Sequence, residues 1–276
     1  MRDTVRRLIR SPFGASGLAL FGALLLTALF APLIATQDPT ALTPRDALQG
    51  PSPAHLFGTD DLGRDVFSRV IWGSRLAVRL GVLSVVIAAS GGVALGLLAG
   101  FYGGWVDNLI SRLLEVVLAF PGILFAIAIV AILGPSLDNL IVALGLFGWP
   151  GYARLVRGSV LSAKQREYVE AARAMGATGT RIMARHLLPN VVAPVIILSA
   201  TRFGGALLAG SGLSFIGLGV PIPQPEWGAI MATGREYLDS AWWVIAFPGT
   251  ILCLAVLGVN LLGDGLRDVL DPRLRV

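Results

Sequence analysis

Residues 80–101 read LGVLSVVIAASGGVALGLLAGF, twenty-two positions without a charge. As a helix rising 1.5 Å per residue the run is about 33 Å long, enough to cross a bilayer core of about 30 Å. The apolar character is continuous rather than alternating, which is the pattern of a helix and not of a barrel strand. Lipid narrows the choice further, because each backbone N–H and C=O must find its partner inside the segment or in a closed barrel. The whole chain agrees with this reading: of 276 residues, 55% are hydrophobic and only 14% charged. A soluble domain of this size needs a larger charged shell.

Five more apolar runs flank this one, at 15–35, 113–133, 138–153, 191–213 and 241–262. The first follows a basic tail with Arg2, Arg6, Arg7 and Arg10; its uncharged stretch, 11–37, is too long for a secretory signal and has no clean cleavage site before Asp38. It is therefore read as a retained span. The run at 138–153 is the weakest, short, holding Pro150 and ending on Asp138 and Arg154. Gly134-Pro135-Ser136 separates it from the run before. The expectation is an all-α polytopic membrane protein with six transmembrane helices. Residues 1–36 form a tail and first span, and 37–75 an external loop with an amphipathic segment near 65–71. Residues 76–264 form a core of five spans, and 265–276 a short charged tail.

Charge orients this arrangement. Fifteen Arg and Lys fall on the side of the two termini and the 154–190 segment, and six on the other. The positive-inside rule then places both termini and 154–190 in the cytoplasm. The basic residues lie between apolar runs rather than in a stripe with aromatics, so no nucleic acid is expected. Gly92, Gly96, Gly100 and Gly104 recur at four-residue spacing, a face that lets another helix of the chain approach closely. Trp105, Trp149, Trp227, Trp242 and Trp243 fall near span ends, where membrane-interface anchoring is expected.

Several activities are excluded. A phosphate-binding loop of the form Gly-x-x-x-x-Gly-Lys-Ser/Thr needs a lysine after a glycine, and the one lysine, Lys164, sits between Ala163 and Gln165. His55 and His186 are the only histidines and both lie in loops, which leaves no metalloprotease pair and no base for Ser211 at membrane depth. Cys253 stands alone, so no disulfide within the chain is possible. A proton-coupled secondary transporter or channel needs buried carboxylates or histidines, and the runs hold almost none. Arg202 is the exception, a charge near the middle of the 191–213 run; such a residue marks a translocation path or a paired site unless it snorkels to an interface.

The 154–190 segment carries the most specific pattern: Glu170-Ala171-Ala172, three residues, Gly176, nine residues, His186, one residue, Leu188-Pro189. Residues 165–175 suit a helix, Gly176 a left-handed stop, Thr178 or Thr180 a cap for a second helix, and Pro189 its limit. This spacing resembles the EAA loop of ATP-binding-cassette importer permeases, and His at 186 is similar to the peptide-type members. The blocks His55-Leu-Phe-Gly58-Thr59-Asp60-Asp61-Leu-Gly63-Arg64-Asp65, Leu213–Gly219, Pro225-Glu226-Trp227-Gly228 and Asn260–Pro272 resemble the same family over almost the whole chain.

That resemblance implies a type I importer permease of the dipeptide, oligopeptide, glutathione and nickel group, non-catalytic and without a cofactor of its own. ATP and Mg would be bound by two partner ATPase subunits. A second, homologous permease would complete a heterodimer in membrane lipid, and an external binding protein would deliver the ligand. The coupling loop would be 157–190, with Glu170, Ala171, Ala172, Gly176, His186, Leu188 and Pro189 at the ATPase. Many members carry Glu where this chain has Gly210, so no role of that Glu transfers. Nickel chelates or another small solute remain alternatives to peptides.

Overall fold

The structure is a computed structural model that describes residues 2–270; Asp271, Pro272, Arg273 and Arg275 of the expected tail lie outside the described residues. The helices are α1 (Arg2–Arg10), α2 (Pro12–Ile34), α3 (Val66–Tyr102), α4 (Gly104–Leu118), α5 (Gly122–Leu133), α6 (Leu137–Ala163), α7 (Glu167–Ala174), α8 (Gly179–Ile182), α9 (Leu188–Phe215), α10 (Trp227–Gly234) and α11 (Trp243–Leu270). Among the described residues there is no strand, only an isolated bridge between Thr59 and Asp65. Short polar side chains start α2, α3 and α6: Ser11 accepts from the Gly14 N–H, Asp65 from Ser68 and Ser136 from Asn139, at 2.8–3.1 Å.

Four helical stretches are long and apolar enough to cross a membrane: α2, α3, the run Gly179–Phe215 that ends in α9, and α11. The α4–α5 pair, bent by 83°, makes a fifth if it counts as one span. α6, with Asp138, Arg154 and Arg157, falls short by composition, so the helix-by-helix count reaches five and not the expected six. Three boundaries also differ from expectation. The run at 113–133 is not one helix, because Pro121 lacks an N–H and disfavours helical geometry at Phe120; α4 ends at Leu118 and α5 restarts at Gly122. The amphipathic segment 65–71 is not separate from the 80–101 run but forms the first turns of the single 37-residue helix α3. The short run at 138–153 continues as α6 through Pro150 to Ala163.

The centre of the molecule is the contact between α3 and α6. A Cβ on Gly96 would stand 2.6 Å from the Ala153 carbonyl oxygen, and one on Gly100 2.7 Å from Val160 Cβ; one on Gly92 would strike Tyr152 Cβ and the Trp149 carbonyl. From α6, Gly145 and Gly148 answer with equally close approaches to Ile87 and Ala88. Small residues on both faces thus bring the two backbones together, the packing that works where lipid offers no hydrophobic drive between helices. Gly104, the fourth glycine of the series, has left the seam and opens α4. Residue numbers rise together along both helices, so α3 and α6 run parallel. The α4–α5 pair therefore has to carry the chain back along their length before α6 begins.

At one end of the bundle the 35–65 and 216–242 loops close over the helix ends through a buried polar network. Asp60, fully buried, accepts from the backbone N–H groups of Leu62 and Arg64 at 3.0 Å and from Arg64 Nε at 2.6 Å. Arg69 Nη1 donates to the Pro39 carbonyl at 3.1 Å, with its Nε 3.6 Å from the same Asp60 carboxylate. Burial, and after it the neighbouring Asp60 charge, pushes the Asp61 carboxyl above the usual carboxylate range, against the pull of Arg64. Gly58, with φ +72°, threads between the Gln49 carbonyl and the Trp243 ring, a conformation and a gap that only glycine fits. The indole N–H groups of Trp243 and Trp227 donate to the carbonyls of Thr59 (3.0 Å) and Val70 (2.9 Å).

Those two tryptophans correct an expectation. Trp227 is 1% and Trp243 8% exposed, so they are core residues with satisfied N–H groups rather than interface anchors. Trp105 and Trp242, at 76% and 52% exposure, keep the anchoring reading.

The glycine seam makes a direct prediction. Gly92→Ala forces α3 off α6 and lowers stability by about 1–3 kcal/mol, the usual range for overpacking. Gly22→Ala, on a face of α2 with nothing within 4 Å, leaves it unchanged. Thermal unfolding midpoints of the two variants in detergent give the comparison.

Candidate functional site

At the opposite end, α6 and α9 are joined by a helical hairpin, α7 and α8. α7 ends where Gly176 takes φ +78°, a left-handed turn with nothing within 4 Å of where a Cβ would stand. The Gly176 and Ala177 N–H groups donate to the carbonyls of Arg173 (2.9 Å) and Ala172 (3.0 Å), closing the helix end. Thr178, the first of the two expected caps, accepts from Arg181 at 3.4 Å. Pro189, however, does not end the second helix. A π turn over Met183–Leu187 widens the backbone, the Leu188 N–H reaches back to the Met183 carbonyl, and Pro189 falls in the first turn of α9. At that position its missing N–H costs nothing. The Asn190 side chain donates to the His186 carbonyl at 2.6 Å.

The hairpin has two faces. Val169, Ala172, Ile182 and Leu187, each at most 2% exposed, join Val156, Val160 and Val191 in one apolar cluster and root it in the bundle. Polar ties add to this: Lys164 Nζ donates to the Gly100 carbonyl at the end of α3 (2.8 Å), and the Arg173 guanidinium sits 5.7 Å from the Phe101 ring centroid. Arg157 grips Asp107 of α4 through Nε (2.5 Å) and Nη2 (2.7 Å). The other face carries Glu167, Glu170, Ala171 and Gly176, all exposed, with Tyr168 and Met175; the Met175 side chain is 81% exposed at the tip.

The seven motif residues are thus brought into one hairpin but not onto one face. Glu170, Ala171 and Gly176 point outward, Ala172 is a root, and His186, Leu188 and Pro189 lie at the base where the π turn hands over to α9. Met175 and Tyr168 escaped the motif because their positions are not part of its spacing. A methionine one residue before a helix-ending glycine was the available signal. Lys164 escaped because what it serves, the carbonyl of Gly100, is 64 positions away.

The second element of interest lies at mid-height. Arg202 is residue 15 of the 28 in α9, roughly 20 Å from either end of that helix. It is exposed, and its guanidinium passes over Gly151 of α6, where a Cβ would stand 3.3 Å from Cζ. No ion pair among the described residues involves it. It opens into a cavity of about 220 Å³ between α3, α5, α6 and α9, walled by residues such as Ser84, Ala88, Ile123, Phe147 and Ala209. Ser211, by contrast, is occupied: its hydroxyl donates at 2.7 Å to Glu226, which caps α10.

Residues 92–276 match the family of binding-protein-dependent transport system inner membrane components, and residues 1–51 match the N-terminal transmembrane domain of oligopeptide transport permease C. The chain is 45% identical to a dipeptide transport system permease of Alkalihalophilus pseudofirmus over 99% of its own length and 90% of the relative's. It is 46% identical to a di/tripeptide permease of Pseudomonas aeruginosa (95% and 89%), and 44% to a glutathione permease of Pectobacterium atrosepticum (99% and 91%). Among solved structures, the inward-facing MetNI methionine ABC transporter superimposes with a TM-score of 0.58 at 20% identity, covering 74% of this chain and 97% of that one.

The Arg157–Asp107 pair is bidentate, yet Arg157 is 35% exposed, so its net worth is about 0.5–1 kcal/mol. A double-mutant cycle with Arg157→Ala and Asp107→Ala, read from thermal unfolding, returns a coupling of that size that shrinks as salt is raised.

Proposed function

The chain belongs to the binding-protein-dependent transport inner-membrane components, and from that premise we propose that its α7–α8 hairpin receives force from an ATPase subunit while Arg202 borders the path of a small-peptide substrate. Membership makes the chain a non-catalytic permease subunit of an ATP-binding-cassette importer. The partners follow from the same premise: two ATPases that bind ATP and Mg, a homologous second permease and an external binding protein. Dipeptides, di/tripeptides and glutathione, named for relatives at 44–46% identity, favour a peptide over a nickel chelate.

One observation carries the coupling role. The hairpin is rooted by fully buried side chains, while its outer face ends in an exposed methionine beside a left-handed glycine. An exposed apolar tip on a rigid element suits insertion into a groove of another protein. Its buried roots tie it to α6 and α9, so a push at the tip moves both helices as a body. Glu170, Ala171 and Gly176 would flank the contact, with Ala172, His186, Leu188 and Pro189 holding the hairpin's base.

The hairpin must then be cytoplasmic, where ATP is. That agrees with the fifteen-to-six bias of basic residues and with both termini on the same side, six crossings in all with α6 among them. A transporter working without an ATPase has no use for such a tip, and the scarcity of ionisable groups at mid-height disfavours a proton relay.

Met175→Asp places a charge in the contact, and Gly176→Val removes the left-handed turn. Each variant is expected to lower copurification of the ATPase subunits and to cut substrate-stimulated ATP hydrolysis at least tenfold, at normal amounts of permease in the membrane. Wild-type coupling in both would remove the docking role.

A further inference from the structure

We infer that Arg202 forms a recognition point for the free carboxylate of the transported molecule, so that this permease subunit selects its cargo by charge in addition to any selection by the external binding protein. The inference rests on the small-peptide reading above and deepens it.

A cation in the middle of a membrane span is costly, about 2.5–3.5 kcal/mol on insertion scales, and is normally retained with a partner. Arg202 has none among the described residues. The polar groups near it are already engaged: Tyr152 donates to Ser199 at 3.0 Å, and Ser199 to the Val195 carbonyl at 2.8 Å. Its guanidinium lies across α6 in the gap left by Gly151, and Arg202 is among the residues that line the cavity. The remaining wall is apolar or small, including Gly122, Gly148 and Gly205, so the cavity offers one strong directional group in a low-dielectric surround. A guanidinium in such a place prefers a planar, bidentate anion, and a carboxylate has that shape. Dipeptides, tripeptides and glutathione differ in length and side chains but share a terminal carboxylate. Gly205, with nothing within 4 Å of where a Cβ would stand, leaves room on the α9 wall for varied side chains while the carboxylate end is fixed.

The competing occupant is a carboxylate of the second permease, held permanently. The cavity favours the cargo: Arg202 lines a recess of about 220 Å³ walled by four helices of this chain, space that a permanent side-chain pair would not need.

The test uses the complete transporter in proteoliposomes with its binding protein, comparing uptake of Ala-Ala with that of Ala-Ala amide, after dividing out the affinity of each for the binding protein. Wild type is expected to prefer the free acid about 10- to 100-fold, the range of a charge-assisted hydrogen-bonded pair. Arg202→Gln is expected to bring the ratio near one, and Arg202→Lys to restore part of it. If the binding protein refuses the amide, uptake of Ala-Ala alone decides: a 10-fold or greater loss in Arg202→Gln, partly recovered in Arg202→Lys, supports the inference. An unchanged ratio, or wild-type Ala-Ala uptake in Arg202→Gln, overturns it and leaves the peptide reading standing. Failure of Arg202→Gln to copurify with the second permease also overturns it, in favour of the permanent pair. Absence of uptake of any small peptide by the wild-type assembly removes both readings.

Discussion

Between Gly92 and Gly100 the backbones of α3 and α6 lie so close that a single added methyl group has no place to go. In water such a contact would be one among many. In lipid, where apolar surface gains nothing by turning from acyl chains to protein, close backbone packing is the main attraction available. Because the two helices run parallel, their contact obliges the α4–α5 pair to return the chain beside them. It also sets α6 to emerge next to the end of α3, where Lys164 and Phe101 hold the hairpin. Both candidate sites depend on this arrangement. The hairpin grows from the end of the seam, and the cavity with Arg202 lies alongside its middle.

The two sites differ in how they use exposure. The hairpin has a bare tip, its inner residues sealed in apolar packing and its outer residues exposed. The cavity is the reverse, a half-open recess between four helices with one charged group on its wall. α6 and α9 both run from the hairpin to the level where Arg202 lies over Gly151, so in the proposed coupling a tilt of the hairpin would be carried to both residues.

Much of this was legible in the residues. The uncharged runs declare their helices because twenty apolar residues in a row have no other stable use. Gly176 announced its left-handed turn, and Thr178 its cap. What stayed hidden were features decided by distant contacts. The break at Pro121 was visible as a proline, but prolines occur inside α6, α9 and α11 without ending them. Pro189 misled for a related reason: a widened turn before it carries the chain smoothly into α9, and no local rule announces a π turn. Trp227 and Trp243 look like interface anchors in sequence, because their bond partners, Val70 and Thr59, are more than 150 positions away. α6 remained weak by composition because its stability comes from the glycine contact with α3 rather than from its own hydropathy.

Those two tryptophan bonds bear on how the protein is made. The lid at the loop end draws on Asp46, Thr59 and Asp60, then on Glu226 and Trp227, and finally on Trp243. A nascent chain leaving the ribosome delivers the first group long before the last. Until the final helix is synthesised, the Thr59 carbonyl lacks its indole donor and the left-handed turn at Gly58 lacks the ring it packs against.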